Sequence, residues 1–84
     1  MDRFLIFMDR GIVNNEMYVV GLIQGLVYGM CAIPNDTTLW DCEVYASFVM
    51  FPVDCTEDHV RELVELINKK YPGLCRYDRL KEGS

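Results

Sequence analysis

The pattern of apolar and polar positions predicts strands at both ends of the chain and a helix before the last strand. The stretch Arg3–Met8 (RFLIFM) is apolar almost throughout, which is typical of a strand buried on both faces. Apolar residues recur at helical spacing through VDCTEDHVRELVELINKKYPG, so we expect a helix there that Asp54 or Thr56 caps and Pro72-Gly73 ends. Leu74–Leu80 completes the pattern as a final strand.

A third strand is predicted at Glu43–Phe51 (EVYASFVMF), where alternate positions point to opposite sides of a sheet. One face would carry Glu43, Tyr45, Ser47, Val49 and Phe51, and the other would carry Val44, Ala46, Phe48 and Met50. Both faces are partly apolar. We expect the first set to face away from the helices.

The uncharged stretch from Met17 to Asn35 contains three glycines spaced four residues apart. A single helix would carry all three in its interior at about 1 kcal/mol each relative to alanine. We therefore expect a helix from about Asn14 to Gln24 and a strand over Leu26–Ile33, because glycine at position 25 readily ends a helix. A hairpin turning at Gln24-Gly25 and one helix running to Cys31 are the alternatives.

A membrane span over Met17–Ile33 is disfavoured. This apolar part is seventeen residues long and has Gln24 at its centre, whereas a span needs about 20 residues. No Lys or Arg lies nearer than Arg10 and Arg61 to orient it. We expect no membrane association.

In order, the elements are strand, helix, strand, strand, helix and strand. This order predicts an α+β fold of the ferredoxin-like βαββαβ type, a two-layer sandwich in which a four-stranded antiparallel sheet carries two helices on one face. Residues 1–80 would form this single small domain, and residues 81–84 would be a flexible tail.

Charge and size narrow the classes of function. The chain has 84 residues with 13 acidic and 8 basic side chains, a net charge of −5. Because nucleic-acid affinity comes mainly from neutralising phosphates, we expect no direct DNA or RNA binding. A domain of this size buries a limited core, and self-association would add to its stability.

The four cysteines are predicted to be reduced and buried, in a cytoplasmic protein. Cys31, Cys42, Cys55 and Cys75 each lie in a largely apolar segment, where a thiol behaves as a small hydrophobe. The apolar run near the N-terminus is only five residues long, too short for a secretory signal.

Candidate chemistry is sparse. Cys55 and His59 lie one helical turn apart, and Asp9 and Asp54 could meet if their strands are neighbours. The other cysteines are isolated, acidic residues around Cys55 oppose thiolate formation, and neither a glycine-rich phosphate loop nor a serine elbow is present. We predict no catalytic residue, metal or cofactor. A metal- or thiol-dependent enzyme using these four residues is the alternative.

The uncovered sheet face is therefore the predicted site of function. It would carry Tyr45, Val49, Phe51 and Tyr77, with Cys75 and either Leu5 and Phe7 or Phe4, Ile6 and Met8. RNA-binding domains of this shape add basic residues and an aromatic-glycine strand motif, which this chain lacks. Such an apolar face favours a protein partner, a homodimer or both.

A second hypothesis places function on the acidic helix. Glu57, Asp58, Glu62 and Glu65 could occupy the basic groove of a nucleic-acid-processing complex, as viral counter-defence inhibitors of the anti-CRISPR type do. The simpler interpretation of these acids is a solvated helix face.

Overall fold

The fold is organised around two long antiparallel strands at the centre of a four-stranded sheet. The computed structural model describes residues 2–30 and 42–80. The elements in chain order are β1 (Asp2–Asp9), α1 (Glu16–Met30), β2 (Glu43–Val44), β3 (Phe48–Cys55), α2 (Glu57–Lys70) and β4 (Cys75–Arg79). The sheet order is β2-β3-β1-β4, and each neighbouring pair is antiparallel. The predicted ferredoxin-like α+β fold is confirmed.

Both helices pack on the same side of the sheet. The core cluster joins Phe4, Ile6 and Met8 of β1 and Val49, Phe51 and Val53 of β3 to the buried residues of the helices, which are Val19, Ile23 and Val27 in α1 and Val60, Leu63, Val64 and Ile67 in α2. Alternation along β1 leaves Leu5 and Phe7 on the opposite side. Burial of the helix-facing set removes apolar surface from water and is the main stabilising contribution.

The prediction for the glycine-spaced stretch was wrong in its favoured form. α1 continues through Gly25 to Met30 without a strand at residue 26, so the structure agrees with the single long helix; residues 31–33 lie outside the described part of the chain. All three helical glycines are exposed. Burial of Val19, Ile23 and Val27 on the sheet outweighs the low helix propensity of glycines on the outer side.

The predicted strand Glu43–Phe51 is two strands joined by a tight turn. β2 ends at Val44 and β3 begins at Phe48, and the Tyr45 amide donates to the Phe48 carbonyl at 2.8 Å. The reversal pairs Glu43 with Met50 and Val44 with Val49. Glu43 therefore shares a face with Met50, whereas one continuous strand would have placed it with Val49.

The second helix follows the prediction closely. Thr56 is its N-cap and accepts from the His59 amide at 3.4 Å, and the helix is followed by Gly73 at φ 75°. Asn68 links α2 to β4 through two hydrogen bonds. Its side chain accepts from the Cys75 amide at 2.8 Å and donates to the Cys75 carbonyl at 2.9 Å. This pair of bonds satisfies backbone groups on an edge strand.

Within residues 2–30 and 42–80, no helix has both the length and the apolar character that crossing a bilayer requires.

Two glycine substitutions should act in opposite directions. Gly25→Ala should raise the free energy of unfolding by about 0.5–1 kcal/mol, because the helix is favoured and an added Cβ meets nothing within 4 Å. Gly73→Ala should lower it by about 1 kcal/mol or more, because φ is positive there. Urea unfolding of both variants measures the effects. A destabilising Gly25→Ala would contradict an exposed helical position.

Candidate interaction surface

The side of the sheet opposite the helices carries a patch of part-buried apolar side chains. We call this side the open face; its apolar residues are Leu5, Phe7, Phe48, Met50 and Pro52. The strand register places them together, since Leu5 pairs with Pro52 and Phe7 with Met50 across the two central strands. Both described helices pack on the other side of the sheet.

Aromatic rings organise one end of the open face. Phe7 and Phe48 meet edge to face with ring centroids 5.5 Å apart, and Tyr45 stacks on Phe48 at 4.6 Å. The Arg76 guanidinium lies over the Phe7 ring at 4.6 Å from its centroid. These contacts hold three rings and one cation in defined positions and reduce the side-chain entropy lost when a partner binds.

Charged groups of both signs surround the apolar patch. At one end Arg3 and Asp54 form an ion pair at 3.1 Å. At one side edge the Glu43 carboxylate accepts a hydrogen bond from the Tyr45 hydroxyl, and this bond raises the pKa of Tyr45. Arg76 lies at the opposite side edge. An apolar centre with a charged rim is the usual composition of a protein interface.

A recess of about 210 Å³ opens beside the aromatic cluster, and its lining includes Phe7, Asp9, Phe48 and Arg76. Its walls come from β1, from the turn before β3 and from the start of β4.

Two predicted open-face residues, Val49 and Phe51, instead lie in the core. Their exposed fractions are 1% and 4%, and their cross-strand partners are the buried Met8 and Ile6. The prediction was wrong because it treated Glu43–Phe51 as one strand. After the turn at residues 45–47, Tyr45 shares a face with Phe48 and Met50 instead of with Val49 and Phe51.

Cys75 and Tyr77 are also on the helix side. They pair with Met8 and Ile6, and the Phe4 and Tyr77 rings are 6.0 Å apart. The Tyr77 side chain is also the largest cause of the raised pKa of Arg61 in α2. Their predicted place on the uncovered face was therefore wrong, because β4 pairs with β1 in the register that sends its odd-numbered positions towards the helices.

Of the predicted set, Tyr45 lies beside the open face, and Leu5 and Phe7, one of the two choices left open for the first strand, lie on it. Phe48, Met50, Pro52 and Arg76 were not proposed as binding residues from the sequence. The signal that could have identified the first two is the Ala46-Ser47 pair, since small and polar residues between two apolar runs are typical of a hairpin.

The four acidic residues of α2 are all exposed, as predicted for either interpretation of that helix. Glu57, Asp58, Glu62 and Glu65 share the solvent side with Arg61 and Lys69. Arg61 forms an ion pair with Asp58 at 3.2 Å. The surface is one of mixed charge, which favours the solvated-face interpretation.

The two candidate carboxylates, Asp9 and Asp54, do not come together. β1 and β3 are antiparallel, so Asp9 lies opposite Phe48 whereas Asp54 lies opposite Arg3 at the other end of the strands. Cys55 is a buried strand residue and His59 an exposed helix residue. In the ranges 2–30 and 42–80, no group of three or more His, Cys, Asp or Glu side chains could hold a metal ion.

A second apolar surface lies on the helix side of the sheet. A groove of about 470 Å³ between α1 and β2 is lined by residues that include Met17, Val20, Gly21 and Val44. Met17 is 83% exposed.

No family model, no curated protein and no solved structure matches this chain.

Adjacent residues of β3 test the assignment of the two faces. Phe51→Asp should lower the free energy of unfolding by more than about 4 kcal/mol, because it buries an unpaired charge. Met50→Asp should cost only about 1–2 kcal/mol, because the part-exposed side chain points to the open face. Circular dichroism during urea unfolding distinguishes the two. Equal losses would show that the faces are assigned wrongly.

A dependence of stability on pH should follow from Cys75. Burial raises the pKa of this thiol from 9.0 to about 12. The contribution of the neutral thiol to stability is complete below about pH 9 and is lost as the pH rises towards 12, because the unfolded chain ionises first. The stability difference between wild type and Cys75→Ala should therefore narrow between pH 8 and pH 10.5 in urea titrations. A difference that stays constant would contradict this.

Proposed function

We propose that this chain is a small non-enzymatic interaction module that binds protein through the open face. The observation that carries the proposal is the part-exposed cluster of Phe7, Phe48 and Met50 beside the stacked Tyr45. Aromatic residues and methionine are enriched in protein interfaces, whereas exposed apolar patches are disfavoured on a surface without a partner.

The charges of this face favour protein over nucleic acid. Arg3 is paired with Asp54, and the exposed Arg76 lies two residues from the exposed Asp78 on the same side of β4. A phosphate backbone would meet more anions than cations on this surface, because Glu43, Asp54 and Asp78 outnumber Arg3 and Arg76, in a chain of net charge −5. Oppositely charged groups at the rim instead suit a protein surface of mixed charge.

The open face is also better supported as the binding site than the acidic helix α2. A groove that binds nucleic acid is strongly basic, so an inhibitor needs a continuous acidic surface. Arg61 and Lys69 interrupt the acids of α2, and the pairing of Arg61 with Asp58 neutralises part of the charge.

Phe7→Asp tests the proposal. A carboxylate in the middle of the apolar patch should reduce formation of any complex of this chain by at least about tenfold, because it would be desolvated on binding. Complexes are measured by affinity capture with quantitative mass spectrometry, and self-association by size-exclusion chromatography with light scattering. The matched control is Leu66→Asp, since Leu66 is 48% exposed on α2 and lies on the helix side.

Circular dichroism must show that both variants are folded. The proposal is contradicted if the complexes formed by wild type survive Phe7→Asp, or if Leu66→Asp abolishes them equally. It is also contradicted if wild type remains monomeric and binds nothing.

A further inference from the structure

We infer that the occupant of the open face is a second copy of this chain, packed face to face about a twofold axis that runs along the strands. The inference rests on the proposed function of the open face and names its partner. It is carried by the order of charged and apolar residues across the sheet.

One row of side chains crosses all four strands. Glu43 of β2 pairs with Met50 of β3, Met50 pairs with Phe7 of β1, and Phe7 pairs with Arg76 of β4. The row therefore has an anion at one end, a cation at the other and two apolar side chains between them. Both end groups are held in place, Arg76 over the Phe7 ring and Glu43 by the Tyr45 hydroxyl.

A twofold axis between β3 and β1 makes this row complementary to itself. Rotation about an axis parallel to the strands brings β4 of one copy over β2 of its partner, and β1 over β3. Arg76 then faces Glu43 of the second copy at both ends of the row, and Phe7 faces Met50 at its centre. Packed sheets lie about 10 Å apart, a gap that an arginine and a glutamate reach across together.

The end of the sheet obeys the same symmetry. Arg3 of β1 and Asp54 of β3 are cross-strand partners, so the same rotation places each opposite the other residue of the second copy. The apolar pair Leu5 and Pro52 is exchanged in the same way, and Asp78 at the β4 end of that row comes to lie at the opposite edge from its own symmetry mate. Like charges are not brought together in any of these three rows.

The acidic net charge does not oppose this arrangement. The helices of both copies point outwards, and the two α2 helices are separated by three interlayer spacings, roughly 30 Å at about 10 Å each. This distance exceeds the Debye length of about 8 Å at physiological ionic strength. Repulsion between the two acidic helices is therefore screened.

The size of the open face suits a reversible dimer. With four strands about 4.8 Å apart and eight residues in β1 at about 3.3 Å each, the face measures at most about 19 by 26 Å. Two copies would bury at most about 1,000 Å², at the lower limit for specific interfaces. We therefore expect dimerisation to depend on protein concentration.

Exchange of charges tests the arrangement. Glu43→Arg and Arg76→Glu should each weaken the homodimer by at least about tenfold, because symmetry introduces two like-charge contacts. Mixing the two variants in equal amounts should restore a heterodimer, in which both contacts are again between opposite charges. The double variant Glu43→Arg/Arg76→Glu should also dimerise. Sedimentation velocity over a concentration series and native mass spectrometry measure these species.

The result that would overturn the inference is a monomeric wild type at all concentrations, or single variants that dimerise normally, or a mixture without heterodimer. Restored dimerisation in the double variant excludes loss of folding as the cause of the single effects. A monomeric wild type whose complex with another protein is lost in Phe7→Asp would overturn the inference and leave the proposed function standing. A dimer that survives Phe7→Asp would contradict both.

Discussion

The antiparallel register between β1 and β3 is the constraint on which the rest of the structure depends. The eight pairs from Asp2 with Cys55 to Asp9 with Phe48 decide which side chains share a face. A shift of one residue would bring helix-facing positions of one strand opposite open-face positions of the other, because side chains alternate with period two. The same register separates Asp9 from Asp54 and therefore keeps the two carboxylates from forming a shared site.

The two sides of the sheet differ in how far their apolar residues are buried. On the helix side, Phe4, Ile6 and Met8 are fully buried. The stability gained by burial on this side outweighs the low helix propensity of the three glycines in α1. On the open face the apolar residues are only part-buried and the rim is charged. A domain this small has little stability in reserve, so an apolar face that becomes buried in a complex would also support the fold.

The distribution of charge on the open face supports the inferred homodimer. The chain is acidic overall, yet the positions on its open face carry both signs in an order that rotation about one axis makes complementary. Many surfaces have charges of both signs. Here Glu43 and Arg76 stand at opposite ends of one row, with Met50 and Phe7 between them, and this order is a property of four strands together.

How far the sequence predicts the molecule depends on the range of the interactions involved. Local signals determined α2 and the first and last strands of the chain, because the helical spacing of Val60, Leu63 and Val64, the Thr56 cap and the apolar run in β1 lie within short segments. The predicted order of elements is confirmed, but its second strand was placed at Leu26–Ile33, where α1 continues to Met30, and the structure has that strand at Glu43–Val44. Local signals also determined that one sheet face would be apolar. The identity of that face was predicted in part: Leu5 and Phe7 were one of two open choices, and Val49 and Phe51 were misplaced.

What only the tertiary structure decided was the continuation of α1 through Gly25 and the pairing of Phe7 with Met50 and Arg76. Each depends on contacts between residues distant in the chain. Helix propensity is worth about 1 kcal/mol for a glycine, less than the burial of one large apolar side chain, at about 1.5–3 kcal/mol. Packing therefore overrides the local preference. Register is set only when strands pair, and pairing therefore decides which residues share a face of the sheet.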